Sequence, residues 1–180
     1  AAAFLLVYTR LMGYAGDRVT AWRHPELDPG DTGYQILQSL YAIGSGGLFG
    51  LGLGKSRQKY LYLPFQYNDY IFAIACEELG LVGAVGIMVL FALLILRGFW
   101  IARQAQTRFS TALAAGLISL IAVQTILNLC VVTNLLPSTG IALPFFSYGG
   151  TALAVNLGEM GIVLNISRSG KKRTIQEAAN

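Results

Sequence analysis

The feature that most constrains this chain is a long stretch without any charge. Between Phe109 and Gly158 the sequence contains no Asp, Glu, Lys or Arg, whereas a transmembrane helix needs only about 20 predominantly apolar residues. Over the full 180 residues, 12% are charged and 54% are hydrophobic, while soluble domains carry about 25% charged residues. The sequence therefore predicts an all-α polytopic membrane protein.

The cysteines and the histidine argue against a disulfide framework or a zinc site. Cys76 and Cys130 fall inside or at the edge of apolar segments, where free cysteine behaves as a small buried hydrophobe. The chain has one histidine, which does not support the ligand sets of zinc sites. The net charge of +4 comes largely from short basic clusters beside apolar segments, and this favours membrane orientation over nucleic-acid binding.

Apolar runs and their polar, glycine- or proline-containing interruptions divide the chain into segments. The first run, residues 1–8, is too short to span a membrane, so we interpret it as part of the end of a truncated helix. We predict the end of a transmembrane helix over 1–12, a large extracytoplasmic loop with an interfacial helix over 13–69, transmembrane helices over 70–96, 109–132 and 150–166, a cytoplasmic loop over 97–108, an extracytoplasmic or re-entrant loop over 133–149, and a cytoplasmic tail over 167–180.

The basic clusters predict the orientation. Arg97, Arg103 and Arg108 are separated from the basic run Arg168–Arg173 by two predicted spans, so both clusters lie on one side of the membrane. By the positive-inside rule that side is the cytoplasm. The 13–69 loop and the 133–149 loop are then expected to face each other on the outer side.

A glycine-rich stretch, Gly47–Ser56, invites comparison with a phosphate-binding loop. That motif requires a glycine five residues before Gly54, where this chain has Phe49, so we expect the glycines instead to let the backbone approach another surface closely. The next residues include Lys55, Arg57 and Lys59, which alternate along the chain. They fit either a solvated loop or a cationic cradle for a pyrophosphate.

Asp69 stands immediately before an apolar segment and has two interpretations. It fits the N-cap of a helix, or a carboxylate that faces a cavity. On a helix Glu77 and Glu78 would lie about 12 and 13.5 Å further along the axis, which is too far for a pair of carboxylates acting together. A base role for Asp69 would therefore be solitary.

The segment Leu135–Gly150 cannot be one regular helix, because it contains Pro137, Pro144 and a Gly-Gly pair. It fits a surface turn between two helices. It also fits a re-entrant wall beside a substrate groove, since irregular backbone at membrane depth is tolerated only within protein or next to a water-filled cavity.

Four stretches of the chain closely resemble the SEDS family of bacterial membrane proteins, FtsW, RodA and SpoVE. They are Gly33–Pro64, Asp69–Ala73, Glu77–Gly80 and Leu136–Gly150. The similarity extends from about Val19 to Arg168. The sequence of the first stretch is nearer to FtsW and SpoVE than to RodA. By analogy with the family, the chain is the C-terminal portion of a roughly ten-span helical bundle with a large outer loop.

The resemblance implies a peptidoglycan glycosyltransferase of the bacterial cytoplasmic membrane that polymerises lipid II during cell division or sporulation. The family pattern Pro-x-x-x-Thr-Asp falls on Pro64–Asp69, with Asn68 in place of Thr and Phe65 in place of Glu. This implies that Asp69 is the general base. The candidate substrate-binding residues are Lys55, Arg57, Gln58, Lys59, Pro137, Thr139, Ser147 and Tyr148.

The implied partners are lipid II, the undecaprenyl-linked glycan strand, a class B penicillin-binding transpeptidase and other division proteins. A divalent cation, Mg²⁺ or Mn²⁺, is allowed as a companion of the lipid pyrophosphate. Two alternatives remain open, a lipid II flippase and a non-catalytic division scaffold. The fragment alone is expected to be inactive.

Overall fold

The computed structural model describes residues 16, 18–27, 32–55 and 69–178, and for Thr32 and residues 170–178 it describes the backbone alone. Within this part of the chain every regular element is helical, which confirms the predicted all-α class. The predicted helix end over 1–12 lies outside the described residues, as does part of the 13–69 loop.

Residues 18–23 are helical and lead into a short 3₁₀ turn, Pro25–Leu27. Four longer helices follow. They are α1 (Thr32–Ser45), α2 (Ile71–Arg103), α3 (Arg108–Val132) and α4 (Gly150–Ala178).

Helix α1 is the helix predicted within the large loop. Ile36, Ser39 and Ala42 lie on one face and are almost fully buried, because α1 packs against α2 and α3. The Ser39 hydroxyl donates to the carbonyl oxygen of Val132 at the end of α3 (3.3 Å). The loop helix is thus fixed to the ends of the long helices.

Helices α2 and α3 are long and apolar enough to cross a membrane. Both α2 and α4 extend past the predicted ends of their spans. Helix α2 continues to Arg103, past the predicted end of its span at 96, and the Arg97 guanidinium lies 3.9 Å over the Trp100 ring one turn later. The predicted loop 97–108 is therefore shortened to 104–107. The predicted span 150–166 lies in α4, whose apolar run is interrupted by Asn156, Glu159 and Asn165.

Helix α2 is broken at Gly80, whose φ and ψ are 69° and −169°. The break removes the helical hydrogen bonds that would join the amides of Leu81 and Val82 to the carbonyls four residues earlier. Backbone groups of the glycine-rich loop replace them. The bonds are Leu51 N to Glu77 O (3.0 Å), Gly52 N to Glu78 O (3.0 Å), Leu81 N to Gly47 O (2.9 Å) and Val82 N to Leu48 O (3.2 Å). All four groups freed by the break are thereby satisfied, as membrane depth requires.

The glycines of this loop permit that contact. A β-carbon on Gly46 would collide with the carbonyl oxygen of Cys76, and one on Gly50 would collide with that of Glu78. This confirms that the glycines allow close approach of the backbone to another surface.

The two loops predicted to face each other are in contact. Arg18 Nη1 donates to the carbonyl oxygen of Ser138 (2.7 Å), and Trp22 Nε1 donates to that of Asn134 (3.0 Å). The helical segment 18–23 therefore lies against the 133–149 loop, beside the start of α2.

Candidate functional site

A cavity of about 620 Å³ lies between the start of α2, the 133–149 loop and one face each of α3 and α4. Its size is typical of small-molecule sites. The polar side chains among its lining residues are Asp69, Gln124, Ser147, Tyr148, Thr151, Asn156 and Glu159.

Asp69 is partly buried at the wall of this cavity. The N-cap of α2 is Tyr70, whose side chain makes no capping hydrogen bond, so the predicted N-cap position of Asp69 is wrong. A β-carbon on Gly140 would lie only 3.7 Å from Asp69 Oδ2. Gly140, which also lines the cavity, therefore lies next to the carboxylate.

Burial and a neighbouring cation act on the Asp69 carboxyl in opposite directions. Burial raises its pKa above the ordinary value of 3.8, and the positive charge of Arg18 partly offsets this. Removal from water disfavours the charged form, whereas an opposite charge favours it. The result is a carboxyl that is a stronger proton acceptor than an exposed aspartate.

Asn128 of α3 holds the backbone around this carboxylate. Its side chain is 1% exposed, and Nδ2 donates both to the carbonyl oxygen of Asp69 and to that of Ile141, each at 2.8 Å. One amide group therefore joins α3, the start of α2 and the 133–149 loop. This holds the backbone from which the Asp69 side chain projects.

The far wall of the cavity is a tight turn. Phe145 has a left-handed φ of 66°, which is costly for a bulky residue and persists only where its surroundings impose it. The turn is closed by Ser147, whose hydroxyl accepts from the amide of Leu143 (2.8 Å). The Tyr148 side chain is 83% exposed at the mouth of the cavity.

Comparison with known proteins identifies the chain. The profile of the FtsW, RodA and SpoVE proteins, described as cell cycle protein, matches residues 1–172. The chain belongs to the FtsW/RodA/SpoVE family. This confirms the resemblance that the four motifs indicated.

Individual relatives of this family agree. Stage V sporulation protein E of Bacillus subtilis (strain 168) is 51% identical over 155 residues, which are 86% of this chain and 42% of the relative. The probable peptidoglycan glycosyltransferase FtsW of Geobacter sulfurreducens (strain DL-1 / KN400) is 48% identical over 154 residues, 86% of this chain and 41% of that protein. The chain thus spans about two fifths of the length of these relatives.

A solved structure shares the fold. One chain of a peptidoglycan synthase complex, described as coordinating polymerization and crosslinking, superposes with a TM-score of 0.69 at 32% sequence identity. The match covers 93% of this chain and 46% of the other.

Within this FtsW/RodA/SpoVE chain, the structure brings together three of the predicted site residues. Asp69, Ser147 and Tyr148 all line the cavity. The other described candidates are not among its lining residues; they are the exposed Lys55 and Thr139 and the partly buried Pro137. Arg57, Gln58 and Lys59 lie outside the described residues. Neither Glu77 nor Glu78 lines the cavity.

Sequence reasoning missed two residues that shape the site. Arg18 belongs to a polar loop segment and had no motif to mark it. Asn128 could have been noticed, because a strong hydrogen-bonding amide inside an apolar span is costly unless it has partners. Glu159 could have been noticed for a similar reason, since it is an acidic residue inside a predicted span. Its side chain is 9% exposed.

Within the described ranges, no three His, Cys, Asp or Glu side chains converge as a metal-binding group. A Mg²⁺ or Mn²⁺ ion that accompanies a pyrophosphate is commonly held by one or two carboxylates together with substrate oxygens. Of the described residues that line the cavity, Asp69 and Glu159 carry carboxylates.

Proposed function

We propose that the protein containing this chain is a peptidoglycan glycosyltransferase that polymerises lipid II into glycan strands, with Asp69 as the general base. The observation that carries the proposal is a partly buried carboxylate of raised pKa, held at the wall of a cavity of about 620 Å³. The name of the Geobacter relative supports the same activity.

The reaction requires a hydroxyl of the acceptor sugar to attack the anomeric carbon of the donor while the lipid pyrophosphate leaves. A positioned base that takes the hydroxyl proton contributes about 10²–10⁴-fold to such a rate. Asp69 suits this role because burial raises its proton affinity while Arg18 limits the rise. The raised pKa makes the carboxylate a stronger base for the acceptor hydroxyl than an exposed aspartate would be.

The distribution of charge around the cavity indicates where the pyrophosphate end of the substrate would bind. Negative charge develops on the leaving pyrophosphate and must be stabilised by fixed cations or dipoles. Arg18, bonded to the loop carbonyl of Ser138, supplies positive charge beside Asp69. Glu159 lies at the α4 side of the cavity and supplies no positive charge there. The pyrophosphate is therefore expected on the Arg18 side.

The test of the function uses the full-length protein together with its class B transpeptidase partner. Purified in detergent and supplied with labelled lipid II, the pair is expected to produce glycan strands when the transpeptidase active site is blocked. Lipid II that crosses vesicle membranes without being polymerised would favour the flippase alternative. Absence of both activities, with the partner still bound, would leave the scaffold alternative.

The charge of Arg18 gives a prediction for pH dependence. A general base works when deprotonated, so the rate rises with pH through the pKa of Asp69. Arg18→Gln removes a charge that lowers this pKa, so the acid limb of kcat/KM against pH should move to higher pH. The position of the limb is the readout, because lost contacts with Ser138 would change only the plateau. Arg23→Gln, on the same helical segment and exposed, is the control. A limb that stays in place in Arg18→Gln would separate Arg18 from the base.

A further inference from the structure

The large side chains of the glycine-rich loop are exposed. They form an apolar tip that consists of Leu48 (61% exposed), Phe49 (83%), Leu51 (36%) and Leu53 (76%). The glycines between them have the opposite role, since Gly46 and Gly50 are pressed against the backbone of α2. A cluster of exposed apolar side chains of this kind marks a surface that contacts protein or membrane.

The length of α2 indicates where the loop lies relative to a membrane. The helix has 33 residues, about 50 Å at 1.5 Å per residue, whereas the hydrocarbon core of a bilayer is about 30 Å thick, or about 20 helical residues. Arg97 and Arg103 lie where α2 leaves the hydrocarbon on the side predicted to be cytoplasmic. Counting about 20 residues back from each of them reaches residues 77–83. The opposite boundary of the hydrocarbon core therefore falls at the break around Gly80.

The exposure of α2 changes at the same place. No residue from 71 to 80 is exposed, whereas exposed large apolar side chains recur along α2 from Leu81 onward. The amides of Leu81 and Val82 donate to the carbonyl oxygens of Gly47 and Leu48, and the side chains of Leu81 and Val82 are 55% and 61% exposed. The apolar tip therefore adjoins the upper end of the surface that α2 presents to lipid.

We propose that the apolar tip inserts into the outer leaflet of the membrane, at the boundary between the hydrocarbon and the head groups. Lys55 follows the tip and is exposed, and a long basic side chain at such a boundary extends from apolar surface to polar head groups. Insertion gains free energy in proportion to the apolar area removed from water. A protein partner would suit the apolar side chains equally, but the depth of the tip and the basic residue beside it favour phospholipid. The proposal is independent of the proposed function.

The depth of the tip is measured by spin labelling of the full-length protein, without the transpeptidase, in nanodiscs of phosphatidylethanolamine and phosphatidylglycerol. Nitroxides are attached to Phe49→Cys and to Leu53→Cys in a background without other reactive cysteines. At both positions relaxation by oxygen, which concentrates in hydrocarbon, should exceed relaxation by a water-soluble nickel complex. Glu26→Cys, on the exposed 3₁₀ turn, is the control and should show the reverse order. Greater access for nickel at positions 49 and 53 would overturn the proposal.

Photocross-linking identifies what the tip contacts. Full-length protein in which Phe49 is replaced by p-benzoylphenylalanine is illuminated in the same nanodiscs, with and without the transpeptidase. The expected product is a phospholipid adduct on the peptide that contains residue 49, in equal yield under both conditions. Absence of this adduct, or its replacement by an adduct with the transpeptidase, would overturn the proposal. Neither measurement depends on polymerisation, so an inactive wild type would contradict the proposed function alone.

Discussion

Asp69→Asn in the full-length protein is expected to reduce the rate of glycan polymerisation from lipid II by about 100-fold or more. Asparagine is close to aspartate in shape and caps helices about as well, but it cannot take a proton from the acceptor hydroxyl. The N-cap of α2 is Tyr70 and not Asp69, so folding should be little affected. The backbone carbonyl of residue 69 still accepts from Asn128 in the variant.

The matched control is Glu26→Gln, which makes the same chemical change on an exposed 3₁₀ turn and should leave the rate near that of the wild type. Both variants should retain the transpeptidase in a pull-down. Near-normal polymerisation by Asp69→Asn would remove the base role and would favour a flippase that uses the cavity without proton transfer.

Much of the fold could be predicted because hydropathy reports directly on membrane spans. The uncharged stretch from Phe109 placed α3 within one residue at its start and at the observed residue at its end. The glycines of the 46–54 loop were also interpreted correctly, since a run of residues without β-carbons has few uses other than close approach and tight turns.

The break at Gly80 could not be predicted in the same way. Hydropathy does not change across it, and a single glycine inside a helical pattern is commonly tolerated. The break is stable because a loop about thirty residues earlier supplies four backbone hydrogen bonds, and a local pattern carries no information about such a distant partner.

Distant contacts also limited how much of the site could be predicted from the sequence. Asp69 and Ser147 were marked by motifs, but Arg18 reaches Ser138 across 120 positions of sequence. Asn128 likewise bonds Asp69 across 59 positions. Contacts between residues so far apart in sequence form only when the helices pack. The residue that tunes the Asp69 carboxyl and the residue that holds its backbone could therefore be recognised only from the folded structure.

The contact between the glycine-rich loop and the broken helix leads to the second large prediction. Gly50→Ala should strongly destabilise the full-length protein, because a β-carbon there collides with the carbonyl oxygen of Glu78 and lies 2.7 Å from the amide nitrogen of Gly80. The loop would have to withdraw and break its hydrogen bonds to α2. Each buried backbone group left without a partner costs about 1–3 kcal/mol. The midpoint of thermal unfolding in detergent should fall accordingly.

Gly54→Ala is the matched control, because Gly54 has the same φ of +76° as Gly50 but no atom within 4 Å of an added β-carbon. Its stability should fall only by the conformational cost of a left-handed alanine, about 1–2 kcal/mol.

Gly80→Ala should resemble Gly50→Ala, since its β-carbon meets the amide of Gly50 and the carbonyl oxygen of Leu48. The double variant Gly50→Ala/Gly80→Ala should be little worse than either single variant, because both changes open one contact. Equal and small losses at Gly50 and Gly54 would mean that the loop does not hold the break. The backbone groups that these loop bonds engage in α2 would then be stabilised in some other way.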